Sequence, residues 1–384
     1  GRARVGAQVH AADRLAHHPQ HQVDVVAAMA EELAAAEGLG AAGPVVRRVA
    51  GELLGPDREL EALAVFLAVD QLLHLHHQRL VACRLAFFGN AVIAHGAYVY
   101  VIGGTSDGGG NVSTSTNFRY NTSDNTWETM TPMPVALDSI DGAVIDGKIY
   151  IPGGESDSNT YVYDIASNSW TNIPANGGYV GREQYQVVAI GTDLYVLGGI
   201  VGSSASTTEV WKLDTITKTW SAGVPMQKSR ASFAAAAING AIYVAGGVSY
   251  PGFTPDMTAE KFNGTVWSYI AGVPDGGGAY TRWSYMADGS TANSMWLAAG
   301  RRDSAWDVLN HAAYYDPKLD AWTDSPTIPV LNQARVYVEG VVADDGYFYV
   351  IGGRAPDGSI AYDTNERLKV IDFDNFLYLP LILK

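Results

Sequence analysis

Residues 181–199 read GREQYQVVAIGTDLYVLGG. An apolar stretch ends in a paired glycine, and an arginine stands near its start. The phrase returns as SRASFAAAAINGAIYVAGG at 229–247 and as ARVYVEGVVADDGYFYVIGG at 334–353. Working outward, the second glycines of such pairs are Gly104, Gly154, Gly199, Gly247 and Gly353, and an Ala-Gly variant ends at Gly300. The intervals are 50, 45, 48, 53 and 53 residues. Periods of this size belong to solenoids and propellers. KIYIPGG, DLYVLGG, AIYVAGG and YFYVIGG follow short polar turns such as Asp146-Gly147 and Asn239-Gly240. They therefore read as the second strands of hairpins.

A second signal follows each pair. Tyr163-Asp164 precedes Trp170 by six residues, Leu213-Asp214 precedes Trp220 by six, and Tyr315-Asp316 precedes Trp322 by six. Tyr120-Asn121 precedes Trp127 likewise, and Asn263 reaches Trp267 in four. Ile371-Asp372 leads to Tyr378, which places YLPLILK in register as a last strand, Tyr378–Ile382. The combination resembles the kelch repeat: a Gly-Gly after the second strand, an aromatic-Asp turn after the third, and a Trp opening the fourth. That resemblance implies an all-β, six-bladed β-propeller over residues 89–384, each repeat a four-stranded blade around a central channel. One blade cannot cover both its faces, so it stacks on neighbours and the ring closes. The glycines serve close packing, and each Trp is expected in the wedge between blades.

The arginines keep a nearly constant offset. Arg182 and Arg230 lie 16 residues before Gly198 and Gly246, while Arg282 and Arg335 lie 17 before Ala299 and Gly352. Blade two has Asp138 nearby. In a kelch blade the first strand lines the channel, so Arg182, Arg230, Arg282 and Arg335 are expected at one channel mouth, where guanidinium forks suit carboxylate or sulfate. The structural reading stays open beside it: such arginines also fasten neighbouring loops. Tyr185, Phe233, Trp283 and Tyr337 in the same register suit either sugar stacking or the core. The loops after the glycine pairs, around Glu155, Arg301 and Arg354, are the second candidate site.

Composition narrows the function. The 384 residues carry a formal charge of −15, which argues against nucleic acid. No run of 18 apolar residues occurs, so no membrane span is expected. The single cysteine, Cys83, excludes an intrachain disulfide and a cysteine-based zinc site. TSDGGGN (105–111) lacks the regularly spaced acidic ligands of a calcium loop. No metal and no cofactor is expected.

Residues 1–88 differ from the rest. They hold seven of the nine histidines and eight arginines but no lysine, tyrosine or tryptophan. Val25–Gly40 and Glu59–Leu80 read as helices. The histidine clusters follow compositional bias. This Ala/Arg/His-rich segment is expected to be helical or disordered. A shifted reading frame is the alternative, in which case an upstream secretion signal is missing from this chain.

The expected function is non-catalytic recognition of a protein or glycan ligand, anionic in character, through the channel mouth and loops. The expected setting is extracellular or at a bacterial cell surface, with an intracellular adaptor as the rival. Among kelch enzymes, the copper-dependent galactose-oxidase type is excluded by the lack of a propeller cysteine. The sialic-acid mutarotase type is the alternative function, with Glu183, Glu339 and the ring of arginines as candidate acid and base in a wet channel.

Overall fold

The structure is a computed structural model, and it describes residues 88–106, 112–155, 157–274, 283–301, 308–324, 330–357 and 361–370. The described residues contain strands, turns and no helix. Six blade sheets follow one another along the chain, each an antiparallel meander, with two small ribbons, Ile200–Val201 on Ala205–Ser206 and Val248–Ser249 on Thr254–Pro255, besides them. Blade 3 is typical: Gln186–Ile190, Asp193–Leu197, Val210–Asp214 and Thr219–Ala222 pair in sequence. The first strands of the six blades are Ala91–His95, Ala143–Ile145, Gln186–Ile190, Ala234–Ile238, Ala287–Ser290 and Glu339–Val342. Each packs beside the next, and the sixth packs beside the first, so they form a closed ring around the axis. Three strands of blade 6 are described, ending with Asn365–Lys369. The expected fourth strand, Tyr378–Ile382, lies outside the described residues, as do residues 1–87. Phe88 already bridges to Thr105, so the propeller begins at or before that residue.

The core is divided among the wedges between blades, and the axis is left open. Tyr100 of blade 1 meets Tyr163 of blade 2 at 6.1 Å, and Tyr243 of blade 4 meets Tyr315 of blade 5 at 5.9 Å. Tyr120 of blade 1 meets Tyr349 of blade 6 at 5.8 Å, which closes the ring through side chains. Val92, Val99, Val101, Tyr349 and Ile351 fill that last wedge. Burial of aromatic area is the main favourable term in such wedges.

The tryptophans sit where the repeat pattern placed them, and they also carry hydrogen bonds between blades. Trp170 donates to the Thr131 carbonyl (2.8 Å), Trp267 to Val224 (2.8 Å) and Trp322 to Ala271 (2.9 Å). Each acceptor belongs to the segment leaving the previous blade. The Asp residues of the third-strand turns accept backbone N–H groups two and three residues on, as Asp214 does from Ile216 and Thr217. Such Asx turns compete with the ladder and end the strand.

Candidate functional site

The constant arginine offset is the span of a hydrogen bond. Arg182 Nη1 donates to the Gly198 carbonyl (3.1 Å), Arg230 to Gly246 (2.7 Å) and Arg335 to Gly352 (2.9 Å). The acceptor in each case is the first glycine of the pair. The other nitrogen pairs with a carboxylate from the same blade's third strand or the residue before it: Glu209 at 3.1 Å, Glu260 at 2.9 Å and Glu366 at 2.7 Å. All three arginines are fully buried. The expectation that they ring the channel mouth is therefore corrected. Their forks are consumed inside the blades, because the glycine carbonyl there has no strand partner and needs a donor. Desolvation lowers the Arg335 pKa from its usual value, and Glu366 opposes that.

The second glycine faces the other way. Gly199 N–H donates to the Arg230 carbonyl of the next blade (2.8 Å), Gly300 N–H to Arg335 (2.7 Å), Gly104 N–H to Leu137 (2.8 Å) and Gly247 N–H to Trp283 (2.8 Å). A Cβ on Gly247 would stand 2.6 Å from that of Phe233. The Gly-Gly pair thus joins its own blade to its neighbour. These bonds also reassign one position. In blade 5 the structural counterpart of Arg230 is Trp283, whose indole donates to the Ala299 carbonyl. Arg282, the residue before it, lies outside the described residues. In blade 2 the counterpart is Leu137, and Asp138 stands one step later.

Two residues beyond the clasp the chain turns into the left-handed region at every blade: Gly89, Ser139, Gln184, Ser232, Tyr285 and Tyr337, with φ between 48° and 64°. Five of these are not glycine, so each costs about 1 kcal/mol in backbone conformation. Backbone hydrogen bonds offset it. Ser139 N–H donates to Gly89 (2.7 Å), Gln184 to Ser139 (2.8 Å), Ser232 to Gln184 (3.0 Å) and Tyr285 to Ser232 (3.0 Å). These four bonds link blades 1 to 5, and the six left-handed positions form a hoop around one end of the axis.

Outside this hoop lies the mouth. Its walls are the residue just before each hoop position and the residue just after each glycine pair. Backbone bridges join them, as in Phe88–Thr105, Glu183–Ile200, Ala231–Val248, Ser284–Arg301 and Val336–Arg354. Blades 2 and 3 contribute Asp138, Glu155 and Glu183. Burial raises the Glu183 pKa first, and the charges of Glu155 and Asp138 add to it. Ser203 donates to Glu155. Blade 4 contributes apolar Ala231 and Val248. Blades 5 and 6 contribute Arg301, which is buried, and Arg354, which is half-buried, seated over the rings of Tyr285 (5.0 Å) and Phe88 (4.8 Å). Tyr285 and Tyr337 pack edge-on at 4.5 Å. In a six-membered ring, blade 2 faces blade 5 and blade 3 faces blade 6. The acidic and basic sides therefore stand opposite each other. Of the other aromatics in that register, Tyr185, Phe233 and Trp283 are core, and Tyr337 alone is half-exposed at the mouth.

Beyond the hoop the axis holds a second carboxylate group. Burial raises Asp141 to about 7, against hydrogen bonds from Val187 (2.6 Å) and Gly142 (2.7 Å). Asp288 and Glu339 are raised well above their usual values, by burial first and then by one another's neighbours in this group. Glu183 and Glu339, the paired acid and base of the sugar-isomerase alternative, thus belong to different carboxylate groups. None of these axial residues was singled out except Glu339. An isolated acidic residue in a short strand carries no sign of which face meets the axis.

Comparison with known proteins agrees with this architecture. The profile of the KLHDC2/KLHL20/DRC7 kelch-repeats domain matches residues 89–271 and 142–353, and the chain belongs to the kelch-repeat family. A kelch repeat and BTB domain-containing protein 1 of camelpox virus is 28% identical over 251 residues, covering 59% of this chain and 41% of the viral protein. Mouse kelch-like protein 35 is 26% identical over 193 residues, 50% of this chain and 30% of its own length. Kelch-like protein terF of Aspergillus terreus is 24% identical over 278 residues, 65% and 59% respectively. The match thus spans less than two thirds of these relatives. The solved structure of YjhT superposes with a TM-score of 0.63 at 16% identity, covering 76% of this chain and 97% of that one, and so shares the fold.

Proposed function

We propose that this protein is a recognition propeller that takes a protein or glycan ligand across the axial mouth. The observation that carries the reading is the division of charge there: half-buried Asp138, Glu155 and Glu183 on blades 2 and 3, half-buried Arg354 on blade 6, with buried Arg301 of blade 5 behind it. A ligand with an anionic group would seat it on the Arg354 side, with a cationic or hydroxyl group toward Glu183. Tyr337 and Tyr285 supply an aromatic floor suited to a sugar ring or a peptide side chain. The half-buried walls strengthen each polar contact relative to open solvent. Kelch propellers support binding roles, and nothing in this mouth requires chemistry. An extracellular or cell-surface setting belongs to the same proposal, on the propeller's lack of cysteine and paucity of lysine.

The test is retention of defined probes on immobilised protein: acidic peptides, basic peptides, and sulfated or sialylated glycans. An anionic probe should be retained at low salt and lost severalfold with Arg354→Ala, with the unfolding midpoint unchanged. Glu183→Gln should change preference among the probes and spare the fold. Equal retention by wild type and Arg354→Ala would overturn the reading. Accelerated anomer exchange of a sialic acid, followed by proton NMR, would replace it with the sugar-isomerase alternative.

A further inference from the structure

Behind the hoop the channel opens into a chamber of about 320 Å³. That is the size of a small-molecule site, not of a structural water pocket. Its charged lining is of one sign. Blade 2 contributes Asp141, blade 3 Gln186, blade 5 Asp288, and blade 6 Glu339 with Asp344 further along; blades 1 and 4 contribute only valine, isoleucine and alanine. No lysine, arginine or histidine lines it. Asp141 and Asp288 stand on opposite blades, and Glu339 stands beside Asp288.

The hydrogen-bonding capacity of this group is largely unspent. Asp288 accepts one bond, from Ala235 N–H at 3.0 Å. Glu339 accepts none among the described residues. The independent observation is Gln186. Its residue is 8% exposed, it borders both the chamber and the small recess at the mouth, and its side-chain amide makes no hydrogen bond among the described residues. Its polar atoms are not sealed from solvent, so the amide is open to the space it borders and free to meet a ligand there. Such a group aimed into a polar chamber marks a ligand contact.

We infer that the axial chamber binds a small organic ammonium, whose N–H groups are received by Asp141, Asp288, Glu339 and the Gln186 amide oxygen. The carboxylates have no cation of their own, so an anion is excluded by repulsion. A chelated metal ion is disfavoured because no three acidic or histidine ligands among the described residues converge closely enough to hold one. The chamber is also far larger than an ion. Ala143, Ala189, Ala236 and Ala237 leave smooth apolar wall for an alkyl chain. The arriving positive charge favours the ionised carboxyls, and protons held by burial leave as the amine enters. This site is separate from the mouth and does not depend on the proposed function.

Calorimetric titration of the full chain at pH 8 with putrescine and spermidine tests it, with calcium chloride as the competing cation. Binding should be saturable, and repetition in buffers of different ionisation enthalpy should show proton release. Glu339→Gln removes no hydrogen bond, so the fold stays; it should weaken binding about tenfold and reduce the protons released. Asp288→Asn should act in the same direction while still accepting from Ala235. Glu128→Gln, on the outermost strand of blade 1, should change nothing. Absence of heat with both amines overturns the inference. So does equal affinity in wild type and Glu339→Gln, which would mean adhesion to an acidic surface. Preference for calcium over both amines overturns the ammonium class.

Discussion

Glu260 and Glu366 lie within the blades; Asp141, Asp288 and Glu339 lie along the axis. Both groups are withdrawn from bulk water, yet they meet opposite environments. Each blade carboxylate is held by a buried guanidinium and by backbone N–H groups: Gln227 at 2.7 Å on Glu260, Asn332 at 2.6 Å on Glu366. The axial carboxyls have no guanidinium or ammonium beside them among the described residues; Asp141 and Asp288 accept backbone N–H groups, and Glu339 accepts none. The first arrangement fastens a strand to the loop that enters its blade. The second has no cation, so the carboxyls are favoured in their protonated form, and ionising them costs stability unless a cation arrives.

The largest effect should come from breaking a blade pair. Arg230→Ala leaves Glu260 buried without its cation and two carbonyls without donors, and should lower unfolding free energy by about 3–5 kcal/mol in urea titration. Arg335→Ala should match it. A loss under about 1 kcal/mol would remove the distinction drawn above.

The axial group should act in the reverse sense. A carboxyl whose pKa is raised on folding holds its proton in the native state, so its contribution to stability is full below the unfolded value and is lost as pH rises toward 7. Asp141, moved from 3.8 to about 7, should account for about 1–3 kcal/mol of that fall once channel solvent is allowed for. Asp288→Asn should flatten the profile and raise stability at pH 8. A profile that rises across this range would place the carboxyls in contact with a cation.

Arg182→Ala should cost less than Arg230→Ala, about 1–2 kcal/mol, because Glu209 is 54% exposed and stays solvated when left alone. Smallest is Trp283→Phe. It removes one indole donor from the Ala299 carbonyl and keeps most of the packing, for about 1 kcal/mol. If it exceeds Arg182→Ala, the clasp depends on volume more than on hydrogen bonding.

Much of the fold was legible because backbone geometry imposes it. Glycine pairs mark where a Cβ would collide, and the spaced tryptophans mark the wedges. The arginine offset was legible as a regularity but not as a meaning, since the same spacing fits a channel ring or an internal bond. Trp283 reads as a stacking or core aromatic, and its equivalence to the clasp arginines was missed because hairpin length varies. Ser290 pairs with Met295 in blade 5, whereas Val342 pairs with Phe348 in blade 6, one residue further round. That single residue makes Arg282 look equivalent to Arg335. The opposition of Glu155 to Arg301 arises only when the ring closes, so no local pattern contains it. The left-handed hoop was equally hidden, because Gln184, Tyr285 and Tyr337 are not residue types that signal positive φ.

That hoop has a consequence for how such a protein changes over time. Its bonds run from peptide to peptide, so they take no account of side-chain identity. One glycine, two serines, one glutamine and two tyrosines already occupy the six places. Substitutions at the rim can alter what is presented to a visitor while the peptide groups beneath keep blades 1 to 5 linked. New specificities are therefore accessible by single steps, each tried on a scaffold whose closure was settled beforehand.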